Sequence, residues 1–336
     1  MRKFYFSFFI FHLSVIISGC GRESPLQPIV GREGVYILNG QSETISYYDV
    51  KEKIVWNDFD TTGAIPNQIA LRKGLLYVVN SGSDDVQILD PSDHSSKGRI
   101  HLGGGNNSFN IVFVDDSKAY VSLFLANKVA SVNLYEKNPV NRIQVGKRPE
   151  GMAISQDKLY VCNTGSKGNN NYDEGTVSVL SVVNDSLLYS IPVGMNPQTI
   201  GIDGEGELHI VCTGDRVSIP GRIYLLDPIM DVVTDSIEIG GSPGSIAIQS
   251  NGKAYLGDAT WGILSYDTRT NQILRDISNP ILPGTSVFGV ALDSQGYLYA
   301  CHFNEDSLSI LDTEGDTLIG KIGVGDGPLS LTIMEE

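Results

Sequence analysis

The strongest constraint on this chain is a phrase that it repeats seven times. Each copy contains a turn that often holds proline, an apolar strand, a polar hairpin and a second strand led by an aromatic residue. The leading residues are Tyr36, Tyr77, Tyr120, Tyr160, His209, Tyr255 and Tyr299. Their spacing of 40 to 49 residues, with strand patterning and without helical periodicity, is typical of propeller blades.

The fourth copy shows how one unit divides into strands. Apolar or alternating segments at residues 151–154, 159–163, 176–180 and 187–193 predict four antiparallel strands. The links between the first two strands are rich in Gly, Asp, Asn and Lys, which supply the positive φ that tight hairpins need. We label the four strands of a unit A to D in chain order, and we expect an all-β chain.

The two ends of the chain are complementary. The first copy begins with strand B at residues 35–39, and the chain finishes with a lone strand A at residues 328–333. Pairing these segments satisfies two open strand edges and closes a ring. The sequence therefore predicts a seven-bladed β-propeller of four-stranded blades, closed by pairing of the C-terminal strand with the N-terminal strand.

The N-terminal segment predicts export and a lipid anchor. Arg2 and Lys3 precede a mostly apolar stretch that ends in Ser18-Gly19-Cys20, which resembles a bacterial lipobox. We expect residues 1–19 to be a lipoprotein signal peptide, Cys20 to carry the lipid, residues 20–33 to form a tether and residues 34–336 to form the propeller. The alternative is an ordinary secretory signal with an incidental Cys. A lipoprotein of this kind is expected in the cell envelope, with the outer membrane preferred.

Composition narrows the classes of partner. The formal net charge is −15, and an acidic surface repels phosphate backbones and anionic lipid headgroups, so nucleic-acid binding is disfavoured. Cys162, Cys212 and Cys301 fall in or at the end of strand B and are expected to be small buried hydrophobes. The chain lacks the nucleophile-elbow, phosphate-loop, zinc-protease and haem-attachment motifs, and we expect no cofactor.

The strand B phrase Leu159-Tyr160-Val161-Cys162-Asn163-Thr164 resembles the Tyr-Val-Thr-Asn repeat of the YVTN (YncE-like) family of β-propellers. The preceding segment, with Val145-Gly146 and Pro149, is similar to that family's Val-Gly-x-x-Pro turn. The proline position holds Pro66, Pro149, Pro197, Pro243 and Pro328, with Phe109 in the third copy and Val287 in the seventh. The resemblance implies a seven-bladed fold but no particular function, because such propellers include binders, scaffolds and unrelated enzymes.

One face of the predicted ring is the best candidate for function. Turns that lead into strand A and loops that leave strand B lie together there, around the central channel, and include the longest loops. The residues expected to bind a ligand or partner are Asn67, Phe124, Arg148, Glu150, Gln198, Arg216, Trp261, His302 and Phe303. We expect a monomeric binding or scaffold protein for an envelope protein or a small ligand.

Several alternatives remain open at this stage. A lactonase- or lyase-type enzyme could use a metal or His302 in the channel mouth, with Arg148 orienting an anionic substrate. For His302 itself the favoured interpretation is a surface histidine in a loop. Arg148 and Glu150 could simply neutralise each other. Asn171, Asp173 and Glu174 could bind calcium, but they lack the spaced calcium-loop pattern, which favours a flexible polar loop. Docking on a cofactor-bearing electron-transfer partner is a third, weaker interpretation.

Overall fold

The computed structural model describes residues 34–282 and 284–335, and this part of the chain is built from short antiparallel strands. The first three blades contain β1 (Gly34–Asn39), β2 (Thr44–Asp49), β3 (Ile54–Thr61), β4 (Pro66–Arg72), β5 (Leu75–Asn80), β6 (Asp85–Asp90), β7 (Ser95–His101), β8 (Ser108–Phe113), β9 (Lys118–Leu123), β10 (Lys128–Asn133) and β11 (Asn138–Gln144). The fourth blade contains β12 (Pro149–Ser155), β13 (Lys158–Asn163), β16 (Thr176–Ser181) and β17 (Ser186–Pro192), and its B–C loop holds the hairpin β14 (Ser166–Gly168) and β15 (Asn171–Tyr172).

The remaining blades repeat the pattern. They contain β18 (Pro197–Ile202), β19 (Leu208–Cys212), β20 (Arg222–Asp227), β21 (Val232–Ile237), β22 (Pro243–Ile248), β23 (Lys253–Asp258), β24 (Gly262–Asp267), β25 (Ile273–Arg275), β26 (Val287–Leu292), β27 (Tyr297–His302), β28 (Ser307–Asp312) and β29 (Thr317–Gly323). The last strand is β30 (Pro328–Met334). Within the described ranges the helical content is one 3₁₀ turn, Phe303–Glu305, and no helix is long and apolar enough to cross a membrane.

The seven sheets form a closed ring. Strand A of each blade contacts strand A of the next, in the order β4, β8, β12, β18, β22, β26, β30 and back to β4. Strand β30 pairs with β1, with Gly34 opposite Met334 and Ile37 opposite Leu331, so the first blade has the order β3-β2-β1-β30. The predicted seven-bladed fold and its closure by the two terminal strands are confirmed. The predicted N-terminal signal peptide and tether, including Cys20, lie outside the described residues.

The core lies between neighbouring blades. Strands B and C of one blade pack against strands A and B of the next, as where Cys162 and Val177 meet Leu208 and Ile210. We therefore expect no single copy to be stable alone, because each sheet buries its apolar faces only against its neighbours. Cys162, Cys212 and Cys301 are free and buried, and burial raises the pKa of each thiol.

The tyrosine that leads strand B also fastens adjacent blades in three places. Each of these contacts, called here a blade latch, joins a Lys and a Tyr of one strand B to an Asp in the C–D turn of the next blade. The latches are Lys118, Tyr120 and Asp185; Lys158, Tyr160 and Asp231; and Lys253, Tyr255 and Asp316. The Tyr160 hydroxyl donates to the Asp231 carboxylate at 2.6 Å, and that of Tyr255 donates to Asp316 at 2.9 Å.

Candidate binding site at the channel mouth

A bulge at the start of every strand A turns one side chain out of the ladder. In blade 2, Pro66 lies opposite Asn80 and Gln68 lies opposite Val79, so Asn67 between them pairs with no residue of the neighbouring strand β5. The register also breaks after Pro197, Pro243, Val287 and Pro328, where one residue is unpaired, and after Ser108 and Pro149, where two residues are unpaired. A bulge re-aims the residue that it leaves unpaired, and here it aims the second residue of strand A at the channel.

The seven residues so placed form the channel ring. They are Asn67, Phe109, Glu150, Gln198, Gly244, Phe288 and Leu329. All seven line one cavity of about 380 Å³, together with Arg216, Ser242, Ala259 and Val287. This volume is within the range of small-molecule sites, and its lining joins a few polar groups to an apolar wall.

The polar side of the cavity centres on a buried carboxyl group. Glu150 is only 8% exposed, and none of the other described residues hydrogen-bonds its side chain. Burial raises the pKa of Glu150 to about 8, and the nearby positive charge of Arg216 opposes that rise only in part. Gln198 and Ser242 line the same side. Near neutral pH Glu150 therefore holds a proton, while Arg216 remains a cation at the rim.

The apolar side is made of stacked aromatic rings. Phe288 stacks on Phe303 with ring centroids 4.6 Å apart, and Phe109 stacks on Phe124 at 6.0 Å. The guanidinium of Arg148 lies 5.2 Å from the Phe124 ring centre, in a cation–π contact. The two inner phenylalanines thus face the cavity, and the outer rings hold them in place.

Glycine in blade 6 gives the cavity its room. Gly244 is the one ring member without a side chain, and a Cβ built there would lie 3.0 Å from Gln198 Oε1. Any larger residue at this position would enter the space between Gln198 and Phe288, which belong to the flanking blades. The opening is therefore a consequence of residue size at one repeat position.

The structure brings several predicted site residues together and separates others. Asn67, Glu150, Gln198 and Arg216 line the cavity, whereas Phe124, Arg148 and Phe303 support its aromatic side from behind. Trp261 is 41% exposed and lines, with Arg216 and Ser242, a shallower adjoining depression of about 270 Å³. Arg148 contacts Phe124 and forms no ion pair with Glu150, so the two do not neutralise each other in the way the sequence allowed.

His302 is not in a loop, as the sequence interpretation allowed, but is the last residue of β27. It is fully buried, and its Nε2 lies 2.7 Å from the Ser309 hydroxyl. Asn39 and Asn163 occupy the same repeat position and donate to Ser46 and Ser178 at 2.9 Å. Burial lowers the pKa of His302 to about 4. His302 therefore serves the same structural contact as those asparagines, and the enzyme alternative loses its proposed base at the cavity.

The long B–C loop of blade 4 also differs from the simplest expectation. Asn171 lies in the short strand β15, which the sequence did not predict, while Asp173 follows it. Both Asp173 oxygens contact ammonium groups, Oδ2 that of Lys147 at 2.6 Å and Oδ1 that of Lys167 at 2.5 Å. These ion pairs favour a polar loop over calcium binding by Asn171, Asp173 and Glu174.

Four channel-ring members were missed from the sequence. Phe109, Gly244, Phe288 and Leu329 were not named as site residues, although each directly follows the proline position of its repeat. In the third copy the register was wrong by one residue, because Ser108 opposes Leu123 at the proline position and Phe109 is the ring member. The signal was present in the repeat, but only the bulge shows which residue points inward.

Comparisons with known proteins support the fold and go no further. No family model and no curated protein matches this chain. Many chains of solved structures match it. One of them, Kuenenia stuttgartiensis hydrazine synthase, is 17% identical, with a TM-score of 0.67 over 81% of this chain and 95% of that chain. At this identity the likeness shows the β-propeller fold alone, and the YVTN-type assignment remains a resemblance in the repeat.

Proposed function

We propose that this protein is a binding protein that holds one small ligand at the channel mouth. The ligand would have a polar end with a hydrogen-bond donor, such as an amine or hydroxyl group, and an apolar body. The carboxyl of Glu150 carries this proposal. This carboxyl group opens onto the cavity and has no hydrogen-bond partner among the described residues, and a carboxyl with a strongly raised pKa in a cleft is a candidate for ligand binding.

The cavity suits such a ligand on both sides. A donor on the ligand would satisfy Glu150, an acceptor would meet Arg216, and the apolar body would lie against Phe109 and Phe288. The ring supplies these groups from strand starts rather than from free loops, so little ordering is required when the ligand binds. This rigid display is the mechanism that we assign to the fold.

The cellular setting belongs to the same proposal. We propose that Cys20 is lipidated and that the tether of residues 20–33 holds the propeller in the cell envelope, at the outer membrane. The support is the apolar stretch that ends in Ser18-Gly19-Cys20. A partner protein could use the adjoining depression, where Trp261 is the exposed aromatic residue.

The test is a thermal-shift screen followed by calorimetry. The panel would contain monosaccharides, amino acids and aromatic amines, and each compound that stabilises the wild type would be titrated against three variants. Glu150→Met keeps the approximate size of the side chain but removes its hydrogen-bonding oxygens, whereas Gly244→Leu fills the cavity with the residue type that blade 1 carries as Leu329. Glu305→Gln changes an exposed carboxylate outside the cavity and is the matched control.

We expect both cavity variants to weaken binding at least about tenfold, which corresponds to about 1.4 kcal/mol, with the control unchanged. Binding that persists in Gly244→Leu would place the ligand elsewhere and refute the proposed site.

A second candidate is an enzyme at the same site. A carboxyl group with a pKa near 8 is suited to general acid–base chemistry, and Arg216 could hold an anionic substrate. In this version Glu150, rather than His302, is the acid or base. Conversion of a bound compound by the wild type, abolished in Glu150→Gln, would support it; recovery of the compound unchanged would favour binding alone.

A further inference from the structure

A cluster of three potential metal ligands lies on the face opposite the cavity. Asp203 and Glu207 flank the hairpin between β18 and β19, and His209 lies in β19. One ligand atom from each of the three lies within 4.8 Å of the others. Among the described residues, this is the one group of three or more His, Cys, Asp or Glu side chains that meets this distance.

The imidazole of His209 points into the cluster without a hydrogen-bond partner. His209 is fully buried, and its Nε2 has no hydrogen bond, although it lies 3.5 Å from Asp203 Oδ2. The other ring nitrogen, Nδ1, is held 2.8 Å from the Tyr266 hydroxyl. Asp203 Oδ1 accepts from the backbone N–H groups of Glu205 and Glu207, which leaves Oδ2 facing the histidine.

The spacing suits a shared metal ion better than a direct hydrogen bond. Two ligands that each lie about 2.1 Å from a tetrahedral zinc ion are about 3.4 Å apart, and a good hydrogen bond is shorter. The observed 3.5 Å between His209 Nε2 and Asp203 Oδ2 is close to the separation around a metal. Tyr266 also provides the outer contact on Nδ1 that metal-bound histidines almost always have.

The residues at this junction differ from those at the same positions of the blade latches. Where the blade latches have Lys, Tyr and Asp, the junction of blades 5 and 6 has Glu207, His209 and Asn271. The cation of the latch has become an anion, and the phenol has become an imidazole. In a latch the lysine balances the aspartate. Here Asp203 lies beside His209, Glu207 accepts a hydrogen bond from the Thr234 hydroxyl at 2.8 Å, and neither carboxylate is paired with a lysine or arginine of the described residues.

Blade 7 provides a second internal comparison. Its hairpin has Asp293, Tyr297 and Tyr299 at the positions of Asp203, Glu207 and His209. There the Tyr299 hydroxyl donates to Asp293 Oδ2 at 3.1 Å and satisfies the carboxylate with a proton. The blade 5 hairpin keeps the aspartate but replaces both tyrosines by metal-ligand types.

We propose that Asp203, Glu207 and His209 bind one divalent transition-metal ion that braces the junction of blades 5 and 6. One nitrogen and two carboxylate ligands suit Zn²⁺ or Mn²⁺, with water completing the coordination. The ion takes the place of the lysine in a blade latch, and Tyr266 of blade 6 couples it to the neighbouring sheet. This site is independent of the proposed ligand at the channel mouth.

Zinc titration of the metal-stripped full chain against a chromophoric chelator tests the proposal. We expect one equivalent bound to the wild type, a rise in melting temperature on loading and a Co²⁺ visible spectrum with a nitrogen ligand. The variant Glu207→Lys with His209→Tyr replaces two of the three ligands by the Lys and Tyr of a blade latch, with Asn271 still in place of the latch aspartate, and should lose the bound equivalent. Tyr266→Phe keeps all three ligands and should lower the zinc affinity by about 10- to 100-fold.

The matched control removes His94 and His101, which lie outside the cluster, by substitution with alanine. Binding by this control should equal that of the wild type. Equal zinc binding by the wild type and the Glu207→Lys, His209→Tyr variant, or loss of binding in the control, would overturn the proposal. So would a wild type that binds no zinc. Circular dichroism of each metal-free variant establishes that it is folded.

Discussion

The first prediction concerns how much the tyrosine–aspartate contact of a blade latch contributes to stability, and another blade of the same protein provides the control. In the latch of blades 4 and 5, the Asp231 carboxylate accepts from the hydroxyl of Tyr160 at 2.6 Å and also contacts Lys158 and Tyr189. Hydrogen bonds to charged groups contribute about 1.5–3 kcal/mol. Because Tyr160→Phe leaves Asp231 two other donors, we expect a loss near the lower end, about 1.5 kcal/mol.

Blade 2 supplies the control. Tyr77 occupies the same repeat position and is also buried, but its hydroxyl has no hydrogen bond to another described residue. Tyr77→Phe should therefore change the free energy of unfolding by less than about 0.5 kcal/mol, as is usual where no specific contact is removed. Urea unfolding followed by fluorescence would measure both variants. Equal losses in the two would refute the idea that the carboxylate contact stabilises the junction.

Three further predictions concern the carboxyl group, the buried histidine and the ring closure. The folded pKa of Glu150 is raised to about 8, so the contribution of Glu150 to the free energy of unfolding is fully present below its ordinary pKa of 4.5 and is lost as pH rises towards 8. The urea midpoints of Glu150→Gln and the wild type should therefore diverge from pH 4 to 9, with the variant the more stable at high pH. Parallel curves would contradict this expectation. The folded pKa of His302 is depressed to about 4, so the contribution of His302 to the free energy of unfolding is present above pH 6.5 and is lost as pH falls towards 4. His302→Asn, which restores the repeat's contact to Ser309, should reduce this loss of stability in acid. His302→Ala should cost about 2 kcal/mol at neutral pH, because it leaves a buried hydroxyl group unpaired. Deletion of residues 328–336 removes the strand that pairs with β1, so calorimetry should show loss of cooperative unfolding, and an unchanged melting curve would argue against closure as the source of cooperativity.

Much of the fold could be predicted because its signals are local and repeated. Strand alternation, hairpin residues and an aromatic marker define each blade within a few dozen residues. Because the pattern occurs in seven copies, a weak match in one copy does not change the assignment of the fold. The missing strand A at the start and the lone strand at residues 328–333 were enough to predict closure. The same topology correctly placed Asn67, Glu150 and Gln198 on one face.

The site itself was only partly predictable, because it depends on contacts between blades. Nothing local to Gly244 or Phe288 marks them as cavity residues, and Phe109 was assigned to the wrong position by one residue. His302 looked like a loop residue because the sequence does not show where β27 ends or that Ser309 is its partner. A single-residue change in register reverses which side of a strand a side chain faces.

The sequence alone thus determined the repeat, the number of blades and the manner of closure, because period, alternation and turn chemistry are properties of neighbouring residues. Only the tertiary structure determined which side chains face the cavity, their pKa values and their contacts. The bulges aimed the second residue of each strand A inward, burial gave Glu150 a pKa near 8, and packing against blade 6 set Tyr266 beside His209. Burial and partners come from residues distant in the chain, so only the assembled ring brings them together.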